Sequence, residues 1–276
     1  AVSDDGKPVV SSHLMRTALE YARTFGIPVA DHCEDPTLSA GGAMHEGIVS
    51  TRLGLKGIPA EAEDIVVARD IYLSRLTGAH LHVAHVSTAG SVELIRRAKQ
   101  VGLNVSGEAA PHHFTLTDAA VGDYDTHAKM CPPLRSEEHR QAVIAGLADG
   151  TLDCIATDHA PHATVDKEVE FDQAAFGILG FETALPLALR LVDKGELTLK
   201  RMVEAFTSAP LSVLRRPYQG IKVGGPADLA LLDLNAIWTY RAAEGFSKSR
   251  NSPFEAWDMR GRVLGTWVDG KRVHGE

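Results

Sequence analysis

Five places along this chain carry side chains that bind metal ions or move protons, each at the end of a short apolar run. They are Asp4-Asp5, His32, His85, Pro111-His112-His113 and Asp158-His159. Carboxylates and imidazoles together suit zinc or a similar divalent first-row ion. A carboxylate can bridge two such ions, and water bound between them ionises near neutral pH and becomes a nucleophile. A neighbouring carboxylate oxygen can take the proton. Asp5, His32, His85 and Asp158 are therefore the candidate metal-holding residues, and Asp158, on the last of these runs, is the candidate general base.

The elements that must position these residues alternate. Leu14, Ala18, Leu19 and Ala22 recur at helical spacing over residues 11–24, and Gly26 closes that helix. A short apolar run, 27–30, leads to His32. Residues 47–77 read as helix broken near Gly57-Ile58-Pro59. Strands are predicted at 79–85, 103–109 and 152–157, separated by helices at 91–101 and 136–148. Further helices are predicted at 184–192 and 202–206. Such alternation predicts a parallel sheet with helical crossovers, whose chemistry collects at the carboxyl ends of the strands. Only about five such ends can be counted, whereas a closed barrel of this kind has eight strands and roughly 250 residues. Residues 1–208 are thus expected to form an incomplete (β/α)8 TIM-type barrel. The opening Ala-Val-Ser-Asp-Asp-Gly reads as the end of a strand, so earlier strands are expected upstream. After Ala209 the pattern changes. Residues 227–233 and 262–268 read as strands, with a turn at Gly270-Lys271, so 209–276 is expected to be a C-terminal β layer, part of a small β-sandwich.

The 276 residues carry a net charge of −8, with 44% hydrophobic and 23% charged residues. That composition is globular, and its acidic balance argues against nucleic acid or an anionic membrane as partner. No apolar run approaches the roughly 20 residues of a membrane span. Cys33, Cys131 and Cys154 are too few and too scattered for a disulfide framework, which fits a reducing cytoplasm.

Longer stretches carry a resemblance. They are Ser3-Asp4-Asp5-Gly6, Asp31-His32-Cys33-Glu34-Asp35, Glu46 to Gly54, His82 to Thr88, Pro111-His112-His113 and Pro132-Pro133-Leu134-Arg135. Thr157 to His162, Phe176 to Thr183, Ala227-Asp228-Leu229 and Asn251-Ser252-Pro253-Phe254 complete the set. Across its whole length the chain resembles the bacterial-type dihydroorotases of the amidohydrolase superfamily. The resemblance implies reversible hydrolysis of dihydroorotate to N-carbamoyl-aspartate in pyrimidine biosynthesis, with one or two zinc ions per site. It implies that Asp5 bridges two metals, that His32 and His85 bind the second, and that Asp158 binds the first and shuttles the proton. It also implies that Cys131, His162, Phe176 and Gly177 touch substrate, the last two through their backbones, under a mobile loop between His162 and Phe176. A homo-oligomer and an association with aspartate carbamoyltransferase are the expected assemblies.

Two departures stand out. The family's first metal also uses a His-x-His pair on the first strand followed by an Arg, and no such segment occurs here. His80-Leu81-His82 has the spacing but lies within the strand that ends at His85 and lacks the Arg. The chain alone is therefore expected to hold at most one ion well and to turn over poorly. Second, Cys131 stands where the family usually has Asn, and a thiol is a weaker hydrogen-bond partner than an amide. Relatives acting on hydantoins usually bridge their metals with a carboxylated Lys. Here that strand end carries Asp4-Asp5, with Lys7 beyond the turn, which favours the dihydroorotases over hydantoinases or allantoinases. A non-catalytic homologue that only scaffolds its partner is the remaining alternative. Less is expected of other residues. Asp4 reads as a turn or capping residue, His112 and His113 as support for the ligands, and Cys33 and Cys154 as small core residues. His13, His45, His127, His139 and His274 read as surface.

Overall fold

The structure, a computed structural model, describes residues 1–275. Its strands in chain order are β1 (Val2–Ser3), β2 (Val29–Asp31), β3 (Met44–His45), β4 (Gly57–Ile58), β5 (Leu81–Val83), β6 (Val105–Ala109), β7 (Cys154–Ile155), β8 (Leu229–Thr239), β9 (Asp258–Val268) and β10 (Lys271–His274). The longer helices are α1 (Ser12–Thr24), α4 (Glu61–Thr77), α5 (Ala89–Gln100), α7 (Glu137–Asp149), α9 (Ala184–Asp193) and α10 (Leu199–Phe206). Short helices are α2 (Pro36–Ser39), α3 (Ile48–Leu53), α6 (Pro111–Thr115), α8 (Thr164–Lys167) and α11 (Ser208–Val213). Five strands pair in parallel in the order β1-β2-β5-β6-β7. Each crossover carries helix, as the alternation predicts. β8, β9 and β10 form an antiparallel sheet. Among the described residues no helix is long and apolar enough to cross a membrane.

Strand alternation divides the residues between two environments. Val29, Leu81, Val83, Val105 and Ala109 are buried apolar residues of the parallel sheet. Most join the main core with Val67 of α4, Ile95 of α5, Leu147 of α7 and Leu187 of α9. The intervening Ser3, Ala30, His82, Glu108 and Cys154 line a cavity of ≈ 280 Å³. Registers Ser3↔Ala30, Ala30↔His82, His82↔Ser106 and Glu108↔Cys154 set them side by side. A period of two keeps one set in the core and the other on the inner face.

Helix ends follow their caps. Ser11 and Thr88 accept backbone N–H groups at the starts of α1 and α5, and Gly78 closes α4 in the left-handed region. The break expected within 47–77 is β4, paired in parallel with β3. Glycine is required at position 57 because a Cβ there would lie 2.4 Å from Glu46 Cα. The C-terminal segment does not stand apart from the barrel strands. Tyr240, Phe254 and Met259 share the main core with Leu189 of α9, and α11 crosses the boundary expected at 208/209.

His45 corrects one expectation. It is buried rather than at the surface, because β3 packs it beneath Arg135, whose Nη1 lies 3.3 Å from its Nδ1. Burial, with Arg135 adding to it, pushes His45 down to about 4, and burial likewise holds His80 at about 4. The unfolded chain takes these protons near the ordinary histidine pKa, the folded chain only near 4. Stability therefore falls as pH drops from about 6.5 toward 4, at up to about 1.4 kcal/mol per pH unit for each histidine. Urea denaturation across that window should show the loss, and His45→Gln should flatten part of it.

Candidate metal centre

β2 and β5 are neighbours, and the chain leaves each of them toward a histidine. His32 Nδ1 and His85 Nε2 consequently face each other at 3.0 Å. Asp5, just past β1, brings Oδ1 to 3.3 Å from His85 Nε2 and 3.6 Å from His32 Nδ1. Three donor atoms from three strand ends thus lie within 4.8 Å of one another. A tetrahedral ion with bonds near 2.0–2.1 Å spaces its nitrogen and oxygen donors by roughly 3.3 Å, so this triangle fits a divalent cation of the zinc type.

The surrounding groups fix the triangle. Asp4, expected as a turn residue, accepts the backbone N–H groups of Val9 and of His32, tying the end of β1 to that of β2. His85 has φ +32° and Asp158 has φ +47°, a region that residues other than glycine seldom occupy. Two of the four candidate ligands therefore sit on strained backbone. Hydrogen bonds from His32 and His85 hold the Asp5 carboxyl far below the usual range despite partial burial. Burial alone would lower His32, but hydrogen bonds with Asp5, Cys131 and Glu34 outweigh it and push the ring up to about 12.

Asp158 lines the same cavity as Asp5, His85, His82 and Glu108. Its Oδ2 is buried without a hydrogen-bond partner, and so is His112 Nε2, 3.7 Å away. Burial raises the Asp158 carboxyl, His85 pulls it down, and the Asp5 and Glu108 carboxylates push it up again; the net shift is upward. His113 turns to a different neighbourhood, its Nε2–H donating to the Pro132 carbonyl at 2.9 Å. His80 and His82 join no ligand group. Both meet Ser106 Oγ at 2.8 Å, and His82 reaches Glu108 Oε2 at 3.0 Å.

The candidate substrate residues form two groups. Cys131 stands beside His32, with Sγ 4.0 Å from Nε2. His162, Phe176 and Gly177 cluster separately, with His162 Nε2 2.7 Å from the Phe176 carbonyl oxygen. A Cβ at Gly177 would lie 2.6 Å from His162 Cδ2, and its φ of +154° also excludes most side chains. The loop between them is held by lysines. Lys167 donates to the carbonyls of Ala175 and Gly177, and Lys129 to that of Asp172; both are about 2% exposed. Burial pushes Lys167 down to about 8.

Glu34, Glu108, Asn251 and Glu63 were not singled out from the sequence. Glu34 lies two residues beyond His32, and Glu108 two beyond Ser106 on the inner face, so period-two counting could have found both. Glu63 could not be found that way. It sits inside α4, buried against Arg135, and accepts the N–H groups of Ser87 and Thr88 just past His85. Asn251 is far away in the chain. Its side chain accepts the His162 N–H at 3.1 Å and donates to Ala160 and Gly177 carbonyls at 2.8 and 3.0 Å.

Residues 1–273 match the amidohydrolase family. The chain belongs to that family. Among curated amidohydrolase relatives, it is 55% identical over 274 residues to a dihydroorotase of Desulfotalea psychrophila, covering 99% of this chain and 65% of that protein. It is 56% identical over 278 residues to a dihydroorotase of Anaeromyxobacter sp. strain K, covering all of this chain and 64% of that protein. The chain thus spans about two thirds of the length of these relatives. Among solved amidohydrolase folds, L-hydantoinase (dihydropyrimidinase) from Arthrobacter aurescens superposes with a TM-score of 0.88 at 29% identity, over all of this chain and 63% of its own. Dihydropyrimidinase from Brevibacillus agri superposes at 0.83 and 24%, which speaks to fold alone. The five parallel strands with outer helices are the barrel-type architecture expected of the sequence, and the antiparallel sheet is its C-terminal β portion.

Asn251→Ala should leave the His162 N–H and the Ala160 carbonyl without partners, the Gly177 carbonyl keeping Lys167, at about 1–3 kcal/mol. Thermal melting should record that loss, and cleavage by a protease between residues 163 and 176 should accelerate as the Ala160–His162 segment loses its tie to Asn251.

Proposed function

We propose that this chain carries the metal-holding part of a cyclic-amide hydrolase that interconverts dihydroorotate and N-carbamoyl-aspartate in pyrimidine biosynthesis. The observation that carries the reading is the convergence of Asp5, His32 Nδ1 and His85 Nε2 on one point. Identity of about 55% to relatives named dihydroorotase supports the substrate. Asp5, His32 and His85 would hold one divalent ion, zinc by donor type, and Asp158, with its unpartnered Oδ2, would face a second ligand position. Such an ion supplies Lewis acidity and water activated near neutral pH.

The residues themselves do the rest. Asp158, raised by burial, is suited to take the proton of the attacking water and return it to the ring nitrogen as the amide C–N bond breaks. In the reverse direction it would deprotonate the carbamoyl nitrogen. Phe176 and Gly177 would lie against the ring along their backbones, their carbonyls fixed by His162 and by Lys167 and Asn251, and the lack of a side chain at Gly177 would leave room for it. Cys131 would flank the substrate, and His162 would brace this edge through the Phe176 carbonyl. Residues 1–208 would form the barrel portion and 209–276 the β layer. A cytoplasmic homo-oligomer, associating with aspartate carbamoyltransferase, is the assembly that the resemblance favours.

Hydantoin or dihydropyrimidine hydrolysis is the second reading, favoured by the likeness to the Arthrobacter enzyme. Asp4-Asp5 at the end of β1, with no lysine there, supports the first. Rates on dihydroorotate, hydantoin and dihydrouracil separate the two.

Elemental analysis of the full chain should find at least one tightly bound divalent ion, reduced at least tenfold by His85→Asn. Asp158→Asn should retain the ion of the Asp5–His32–His85 group while turnover of dihydroorotate drops by about 10²–10⁴. An unaltered chain that holds no ion, with those three residues intact, overturns the assignment. One ion without activity on any cyclic amide is the outcome expected of a catalytic portion that lacks the His-x-His segment, and no ion at all favours the scaffolding homologue.

A further inference from the structure

His32 has a second face. While Nδ1 meets His85 and Asp5, Nε2 points the other way, to 2.9 Å from Glu34 Oε2. Cys131 Sγ lies 3.1 Å from that same oxygen and 4.0 Å from Nε2. Three donors of different type, from two separate segments, thus surround one point, and none is needed by the Asp5–His32–His85 group except through the shared ring. A tetrahedral ion with bonds near 2.0 Å to nitrogen and oxygen and 2.3 Å to sulfur spaces such donors roughly 3.3–3.6 Å apart. Each observed separation is within about half an ångström of that triangle.

The chemistry of the donors selects the ion. Thiolate beside imidazole favours borderline or soft cations over magnesium or calcium. Glu34 turns Oε2 to both His32 and Cys131, and Ser39 orients it by donating to its other oxygen.

We propose that His32 Nε2, Glu34 and Cys131 form a second site, for a soft divalent cation of the zinc or cadmium class, joined to the first site by the His32 ring. As the sulfur–metal bond forms, the S–H bond breaks and its proton leaves to solvent. His32 Nε2 would likewise give up its proton to solvent on binding the cation, and with Nδ1 also engaged in the first site the second ring N–H proton would leave to solvent too, so that one ring would serve both sites. It is the thiol that makes the position attract soft cations; an amide there would not.

Cadmium titrated into the full chain, with the thiolate-to-cadmium ultraviolet band as readout, tests this without reference to turnover. The expected result is a band corresponding to one thiolate per chain. It disappears in Cys131→Asn, persists in Cys154→Ala and Cys33→Ala, and shifts to at least tenfold higher cadmium in Glu34→Gln, which keeps every thiol. Absence of a band in the unaltered chain overturns the site. So does a band that survives Cys131→Asn and vanishes in Cys33→Ala, which would place the ion among Asp31, Cys33 and Asp70. An unchanged titration in Glu34→Gln overturns the three-donor set even if Cys131→Asn does not fold.

Discussion

Two buried imidazoles facing each other at 3.0 Å on neighbouring strand ends constrain much of what surrounds them. Both rings are buried, and buried polar groups demand partners. His32 meets the demand on both sides, with Asp5 and His85 at one nitrogen and Glu34 at the other. His85 meets it at Nε2 only, and its Nδ1 is left without a partner. Such an arrangement is costly for a metal-free core and natural for one that receives a cation. His85 and Asp158, both with positive φ, both line the cavity.

Beyond the ligands, the chain spends buried charge on holding loops. Glu63 of α4 accepts from the turn after His85, and Arg135 spans Ser87, the Ile58 carbonyl and Glu63. Breaking a buried pair of this kind typically costs about 3–5 kcal/mol because one charge is left alone. Here the pair joins the β3–β4 excursion to the His85 turn and to the segment bearing Cys131. Lys129 and Lys167 serve the loop before Phe176 in the same way, donating to carbonyls rather than to carboxylates. In that loop, read from the resemblance as mobile, these two ammonium groups hold the Asp172 and Ala175 carbonyls, and Lys167 also holds that of Gly177 just beyond it.

The C-terminal segment enters the site by a different route. Asn251 reaches Ala160, His162 and Gly177 and so couples the polypeptide beyond the parallel sheet to the strand-end residues. Tyr240, Phe254 and Met259 pack into the main core alongside α9. The β layer and the barrel strands therefore share one interior, which the change in sequence character near residue 209 does not reveal.

The sequence by itself determined the alternation of strand and helix, because apolar periodicity and caps such as Ser11, Thr88 and Gly78 are local. It also determined which residue types end each strand, and hence that Asp5, His32, His85 and Asp158 are candidates for one site. Motif resemblance added Cys131, His162, Phe176 and Gly177. What only the tertiary structure decided was which donors face each other. That depends on strand register and ring orientation, which pair residues 27 and 53 positions apart. Register put His82 and Glu108 on the cavity wall, and packing under Arg135 buried His45. The two faces of the His32 ring, one toward Asp5 and His85 and the other toward Glu34 and Cys131, follow from where three chain segments meet, and no local pattern encodes that meeting.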